Sequence, residues 1–373
     1  MTRSVAIIGS EARYLVNFRG RLIADLHARG VKVFALAPGL DDETRRQIVA
    51  LGGEPRDIEM ARTGNNPLED ARTLLSIHRE LRRARPDAVL SYTIKPVIYG
   101  TFAAWLAGVP RRFSMVEGLG SVFIEGASTS RRRRAVRATL LRLYARAFAL
   151  SEKVVFLNPD DEDFFRSRGV RRLSSMQLQG IGVDLDEWHP HPPVTEPLTF
   201  TYVGRMIADK GVVEFVEAAR RVRQKHPEAR FVLVGGLDSN PSAIPESRLR
   251  EWVTEGVVEW PGHVPVKPWL AQTSVFVLPS YREGYPRSTQ EAMAMARPIL
   301  TTDVPGCRET VIEGLNGMLV PPRDAGALAE AMERFIARPE LIGRMGAESR
   351  RIAAETFDIR VVNARLMAMM GVE

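Results

Sequence analysis

The sequence has 373 residues, 45% hydrophobic and 26% charged, which excludes a disordered chain, a collagen-like repeat and a coiled-coil rod. One cysteine, Cys307, excludes an internal disulfide and a cysteine-based zinc cluster, and at about 150 residues per domain the length predicts two domains. The net charge of +7 is uneven: residues 1–190 hold 30 Lys+Arg against 22 Asp+Glu, and the remainder 22 against 23. A basic half beside a neutral half points to an anionic partner such as lipid, nucleic acid or a phosphorylated substrate. The opening apolar run Val5–Ile8 is too short for a secretory signal. No stretch approaches the roughly 20 apolar residues of a spanning helix, so the chain is not expected to cross a bilayer, though it could lie on one.

The predicted elements alternate between strand and helix. Val5–Gly9 is a short apolar strand ending in glycine, Tyr14–Arg29 a helix that Gly30 stops, and Val31–Ala37 a second strand. A helix over Leu68–Arg85, strand Ala88–Ser91, helix Val97–Ala107, strand Arg112–Val116, a basic helix over Ser130–Leu150 and strand Lys153–Leu157 follow. Residues 183–197 contain Trp188, His189, His191 and Pro190, Pro192, Pro193 and Pro197. This composition opposes helix and central strand and reads as a linker. A second alternation comes next: strand Leu198–Val203, helix 211–225, strand Arg230–Val234, helix 245–255, and strands Val257–Trp260 and Val275–Leu278. Helix 286–296, strands Pro298–Thr301 and Gly317–Val320, and helices 324–337, 339–355 and 358–370 complete it. The expected organisation is an α/β chain of two doubly wound, Rossmann-like parallel-sheet domains facing a cleft. They would be residues 1–182 and 198–355, with 356–373 a helix returning to the first domain. Ligands of such sheets bind beyond the C-terminal strand ends.

Val277–Ala296, VLPSYREGYPRSTQEAMAMA, is the most informative segment. A strand gives way to a polar loop carrying Glu283, and a helix opens at Pro286, a residue suited to a first helical turn. Amides of Arg287 and Ser288 at that helix start favour an anion, while Glu283 and Glu291 are placed to accept from sugar and ribose hydroxyls. The bland alternative is a loop charge and a solvated helix residue. In Tyr202–Gly211, YVGRMIADKG, a strand delivers Gly204, Arg205 and Lys210. Two cations beside a helix start suit a diphosphate leaving group without metal; alone they would read as surface charges. Gly235-Gly236 and Pro261–Val264 are weaker signals of close backbone approach.

In the first half, Gly9 is a weak phosphate-loop signal, and the absence of GxGxxG does not support a dinucleotide. Arg19, Thr93 and Lys95 lie near predicted element ends. Glu117 and Gly118 follow a strand, and for Glu117 a general base, an acceptor contact and a capping carboxylate all stay open. The helix SRRRRAVRATLLRLYARAFAL, with Arg131, Arg132, Arg133 and Arg134 in its first turn, holds seven arginines and no acid. Val136, Leu140, Leu143, Tyr144, Ala147 and Phe148 fall on one face. Such a helix can lie at an anionic membrane interface, or pack its apolar face on the core. Little aromatic interleaving speaks against nucleic acid as the partner.

These residues resemble the retaining GT-B-fold glycosyltransferases with the spaced-glutamate signature. The resemblance rests on Gly204-Arg205, Lys210-Gly211, Gly235-Gly236, Glu283-Gly284-Tyr285-Pro286, Glu291-Ala292, Pro298-Ile299, Gly306 with Glu309, and Gly314 with Gly317. TIKPVIYG, VEGLGSVF and FLNPDDEDFF are similar to the subgroup that elongates polyprenyl-diphosphate-linked glycans in capsule, O-antigen and bacterial protein glycosylation. Ser10 departs from the pattern, standing where many relatives carry a second glycine. The resemblance implies that Arg205 and Lys210 hold the donor diphosphate, Glu283 the donor sugar and Glu291 the ribose. Tyr285, Pro286, Arg287 and Ser288 would meet sugar and phosphate, with Val264 beside the base. It implies a UDP-sugar donor, a lipid-diphosphate-linked glycan acceptor, an anionic membrane surface on the cytoplasmic side, and neither cofactor nor obligatory metal. A soluble transferase acting on a small acceptor is the alternative.

Overall fold

The computed structural model describes residues 2–61, 66–120, 123, 130–170 and 173–372, apart from the side chains at 132 and 133. Among the expected site residues, Arg132 and Arg133 therefore have side chains outside the described set. The chain divides into two compact units, Met1–Leu178 with Arg360–Glu373, and Gln179–Ile359.

The first unit contains β1 (Ser4–Ile8), α1 (Ala12–Ala28), β2 (Lys32–Ala37), α2 (Asp42–Ala50), β3 (Gly53–Asp57), α3 (Pro67–Ala84) and β4 (Ala88–Tyr92). After β4 come a π-helical turn over Pro96–Gly100, α4 (Thr101–Leu106), β5 (Arg111–Val116), α5 (Arg131–Leu150), β6 (Lys153–Phe156), α6 (Pro159–Arg166) and β7 (Ser175–Gln177). All pairings are parallel, in the order β3-β2-β1-β4-β5-β6-β7. β4 is buried along its length and β5 over its last four residues, as a sheet covered on both faces requires. Helix starts are written locally: Asn66 accepts from Leu68 N ahead of Pro67, and Asn158 accepts from Asp161 N ahead of Pro159.

One core of this unit is aromatic, with Tyr144, Phe148, Phe156 and Phe165 buried together and the rings of Phe148 and Phe165 5.0 Å apart. It takes up part of the apolar face of the basic helix. Tyr144, Ala147 and Phe148 of α5 face inward, with Leu140 and Leu143 packed behind them, so this part of the apolar stripe is spent on the protein's own core. Arg131, Arg134, Arg142 and Arg146 stay exposed, while Arg137 lies over the rings of Phe123 and Phe164.

The second unit contains β8 (Thr199–Val203), α7 (Val212–Lys225), β9 (Arg230–Val234), α8 (Glu246–Thr254), β10 (Glu259–Gly262), α9 (Lys267–Ala271), β11 (Val275–Leu278) and α10 (Arg287–Ala294). It continues with β12 (Ile299–Thr302), β13 (Gly317–Val320), α11 (Ala325–Ala337) and α12 (Glu340–Thr356). Its sheet is again parallel, ordered β10-β9-β8-β11-β12-β13. Residues 183–197 pack on this unit: Trp188 is buried, His191 N donates to Met295 O, and the buried Arg297 donates to Pro192 O at 2.9 Å. The last helix, α13 (Ile359–Met369), is tied to the first unit by Asn363 Nδ2 donating to Asp25 and by Arg111 Nη1 donating to Met370 O.

The two strand orders reverse direction between β1 and β4 in one sheet and between β8 and β11 in the other. Loops leaving those neighbouring strands diverge, and the crevice between them is where ligands of such sheets bind.

Candidate active site

In the second unit, the loops leaving β8 and β11 carry the predicted groups. Past Gly204, Arg205 Nη1 lies 3.1 Å from Asp238 Oδ2, a carboxylate on the loop after β9. Lys210 closes a 3-10 turn and donates through Nζ to Glu283 Oε1. Both partners of that pair are partly shielded, with side chains 21% and 10% exposed, whereas Arg205 is 43% exposed. The two loops are stitched together: Tyr281 N donates to Asp209 O at 3.0 Å, and the Tyr281 hydroxyl donates to Glu214.

Two glycines make this close approach possible. Gly211 has φ of 74°, and a Cβ there would sit 2.0 Å from Pro279 O; Gly306 has φ of 83°, and its Cβ would sit 2.3 Å from Glu283 O. No side chain fits either place, so glycine is what lets the Lys210 and Glu283 loops meet. Beneath them Tyr202 is buried with its hydroxyl on Arg205 O at 2.9 Å. Burial first, and then the nearby Glu283 charge, hold its phenol well above the ordinary range.

α10 opens at Pro286, which supplies no side-chain cap, and the first amide bonded back along the helix is Gln290 N, to Pro286 O. Tyr285 is buried and its hydroxyl donates to Glu309 O at 2.8 Å. Glu291 accepts from Arg287 Nε at 2.8 Å. Burial pushes the Glu291 carboxyl up, and the Arg287 guanidinium opposes that shift. Val264 lies half-buried two residues past β10, beside His263, whose Cβ would be 3.2 Å from a Cβ added at Gly236. Arg205, Lys210, Glu283, Tyr285, Pro286 and Val264 are thus on loops leaving the C-terminal edge of one sheet, with Arg287 and Ser288 opening α10 and Glu291 one turn into it.

The first unit has its own cluster at the β1/β4 reversal. Gly9 follows β1 and lies against Tyr92, whose hydroxyl would be 2.3 Å from a Cβ at that position. Arg19 of α1 is 1% exposed; its guanidinium stands 4.8 Å over the Tyr92 ring and pairs with Glu117 at the end of β5. Burial raises the Glu117 carboxyl and Arg19 opposes it. Thr93 has φ of 67°, a conformation a β-branched residue rarely holds unless its surroundings impose it. Its Oγ1, like the Tyr92 hydroxyl, is buried with no hydrogen-bond partner among the described residues. Lys95 pairs with Asp70 at 3.0 Å, and Asp70 also accepts from the Tyr99 hydroxyl at 2.8 Å. Gly118 follows with φ of 122°. Arg131 and Arg134 lie in the first turn of α5 and outside this cluster's contacts.

A family model described as "Glycosyl transferases group 1" matches residues 197–338, and one described as "Glycosyl transferase 4-like domain" matches residues 16–174. Residues 197–338 are thus a group 1 glycosyltransferase domain and residues 16–174 a glycosyltransferase 4-like domain. The chain is 28% identical, over 86% of each chain, to the N,N'-diacetylbacillosaminyl-diphospho-undecaprenol alpha-1,3-N-acetylgalactosaminyltransferase of Campylobacter jejuni. It is 25% identical to the UDP-Gal:alpha-D-GlcNAc-diphosphoundecaprenol alpha-1,3-galactosyltransferase of Escherichia coli, over 72% of this chain and 70% of that one. Among solved structures, sucrose-phosphate synthase of Thermosynechococcus elongatus superposes with a TM-score of 0.80 at 19% identity, covering 99% of this chain and 98% of that one. Anabaena HepE in complex with UDP-glucose gives 0.78 at 16%, covering 99% of each. The two parallel sheets with their helices are those of the GT-B fold.

Several groups of this glycosyltransferase's clusters were not singled out from sequence: Asp238, Tyr202, Tyr92, Asp70 and Tyr99. Asp238 carried a usable signal, lying two residues past the Gly235-Gly236 pair that ends β9. Tyr92 and Tyr202 each end or nearly end a strand and precede a predicted site loop, a pattern that only the burial of their hydroxyls distinguishes from ordinary core.

Proposed function

We propose that this glycosyltransferase moves a hexose or N-acetylhexosamine from a UDP-sugar to a polyprenyl-diphosphate-linked glycan, with retention of configuration and without an obligatory metal, on the cytoplasmic face of the membrane. The observation that carries the reading is the pair of carboxylate-oriented cations, Arg205 with Asp238 and Lys210 with Glu283, at the β8/β11 reversal. In this reading Arg205 and Lys210 take the donor diphosphate and the uncapped start of α10 adds its amides. Glu283 accepts from donor-sugar hydroxyls. Glu291, held in place by Arg287, accepts from the ribose, with Val264 beside the base. Gly9 belongs to donor binding and Arg19, Thr93, Lys95 and Gly118 to acceptor recognition, where buried Arg19 orients Glu117 as general base or acceptor contact.

The chemistry follows from where charge develops. As the bond from the anomeric carbon to the β-phosphate oxygen breaks, negative charge collects on the diphosphate, and two fixed cations stabilise it more than they stabilise the bound donor. The acceptor oxygen adds on the same face, and its proton passes to the departing phosphate oxygen. The lipid-linked acceptor is supported by the names of the Campylobacter and Escherichia relatives, and a UDP donor by the HepE complex. Membrane approach is supported by the exposed arginines of α5, each contributing about 1 kcal/mol near an anionic surface. The inward packing of that helix's apolar residues favours the second reading, a soluble transferase with a small acceptor.

The test offers UDP-, GDP- and ADP-sugars with an undecaprenyl-diphosphate-linked acceptor in detergent, with and without EDTA, and reads the anomeric configuration of the product by NMR. Retained product from a UDP-sugar in EDTA is expected. An inverted product, a chelator-sensitive one, turnover from GDP- or ADP-sugars alone, or transfer to small acceptors only would each overturn the corresponding part.

A further inference from the structure

The second unit carries a concentration of positive charge that sugar transfer does not use. Arg334 and Arg338 close α11, and Arg344 lies in the first turns of α12. All three are exposed and line one pocket of about 320 Å³ floored by the buried Leu341 and Met345. None forms an ion pair among the described residues, whereas Arg220, Lys225, Arg230, Arg248, Arg250 and Arg351 of the same unit do.

The expected partners are present but turned elsewhere. Glu330 and Glu340 stand four residues before Arg334 and Arg344, the spacing at which helical pairs form, yet neither pair is made. Glu333 bonds Lys225 instead. Glu313, the carboxylate on the pocket wall, accepts from Leu319 N at 2.7 Å. The C-terminal dipole of α11 favours Arg334 and Arg338 where they are. It gives no reason for Arg344, which sits at the positive end of α12, where a cation is disfavoured.

The pocket is not the candidate transfer site. Glu313 and Gly314 immediately precede β13, so it lies where that parallel sheet's strands begin, whereas Arg205, Lys210 and Glu283 lie where they end. We propose that Arg334, Arg338 and Arg344 form a second anion site that binds the phosphoryl group of a small phosphate ester. Guanidinium forks match phosphate oxygens in pairs, three of them suit a dianion, and the pocket leaves space for a compact substituent over its apolar floor. Both a soluble phosphate ester and a phospholipid headgroup present this chemistry.

The experiment compares wild type, Lys210→Ala and the triple variant Arg334→Gln/Arg338→Gln/Arg344→Gln. sn-Glycerol 3-phosphate is titrated by calorimetry, and flotation is run with phosphatidylglycerol and with phosphatidylcholine vesicles. Binding of one probe that survives Lys210→Ala and weakens about ten-fold or more in the triple variant is expected; which probe behaves so identifies the source. Circular dichroism checks the fold, and the single variants Arg338→Gln and Arg344→Gln serve if the triple variant does not fold. Binding of neither probe by wild type, or binding undiminished by the arginine changes, overturns the proposal.

Discussion

Lys210→Ala separates chemistry from architecture in the second unit. A unit charge about 4 Å from another is worth about 4 kcal/mol at an effective dielectric constant of about 20. Lys210 is still 21% exposed, so solvent screens part of this. The remaining loss should match that of removing one preorganised donor from a developing anion, about 10²–10³-fold in kcat. The same change leaves the Glu283 carboxylate, 10% exposed, without its cation, costing on the order of 1–3 kcal/mol of folding stability. The double variant Lys210→Ala/Glu283→Gln removes the stranded charge. It should recover much of the stability in urea titration and none of the rate. Steady-state transfer and urea unfolding on the same preparations read both quantities. A double variant whose rate recovers along with its stability would refute the catalytic role, leaving the pair a structural tie between two loops.

Glu117→Gln should cost about 3–5 kcal/mol in chemical denaturation, because it strands the buried guanidinium of Arg19; adding Arg19→Met should restore most of it. Cys307 is buried, and burial pushes its thiol up to about 12. At pH 8 only about one part in ten thousand is thiolate, and mass spectrometry should find it unmodified by iodoacetamide until the protein unfolds; rapid native alkylation would contradict the packing. Changing Arg131, Arg132, Arg133 and Arg134 to Gln should lower flotation with anionic vesicles while sparing transfer to a detergent-soluble acceptor. Loss of both would assign the helix start a structural role.

Much of the fold was legible because parallel strands buried on both faces read as short apolar runs closed by glycine, as at Val5–Gly9 and Arg230–Val234. Elements without that mark were hidden. β3, GEPRD, is an edge strand where Pro55 is tolerated and charges face outward, and nothing in its composition announces pairing. The strand expected at Val257–Trp260 is instead Glu259–Gly262. Val257 and Val258 are buried but not in the ladder, and apolarity reports burial rather than pairing. In the site, the cations were legible from spacing within one loop. Their partners were not: Arg205 finds Asp238 and Arg19 finds Glu117 only through the order of strands in each sheet. The inward turn of Tyr144 and Phe148 was likewise undecidable, because one helical period serves a core and a membrane equally well.

The two sheets place a tyrosine beneath a glycine at each reversal, Tyr92 under Gly9 and Tyr202 under Gly204, yet their charges are used in opposite ways. In the first unit the guanidinium of Arg19 is sealed at 1% exposure between an aromatic ring and Glu117. Its partner Glu117, 16% exposed, is an oriented carboxylate of a kind suited to hydroxyl groups. In the second unit the cations remain reachable, Arg205 at 43% and Lys210 at 21%, and their partner carboxylates are less exposed, Asp238 at 7% and Glu283 at 10%. A diphosphate carries its charge to whichever surface offers accessible cations, and a buried guanidinium already neutralised by its partner offers none. Under the proposed function, this difference in burial would draw donor phosphates to the second unit and acceptor hydroxyls to the first. Exchanging Arg205 for Gln should weaken donor binding with little effect on the acceptor KM, whereas Glu117→Asp, which keeps the charge on Arg19 but withdraws the carboxylate, should do the reverse. Equal shifts in both constants from either variant would show that burial does not sort the substrates.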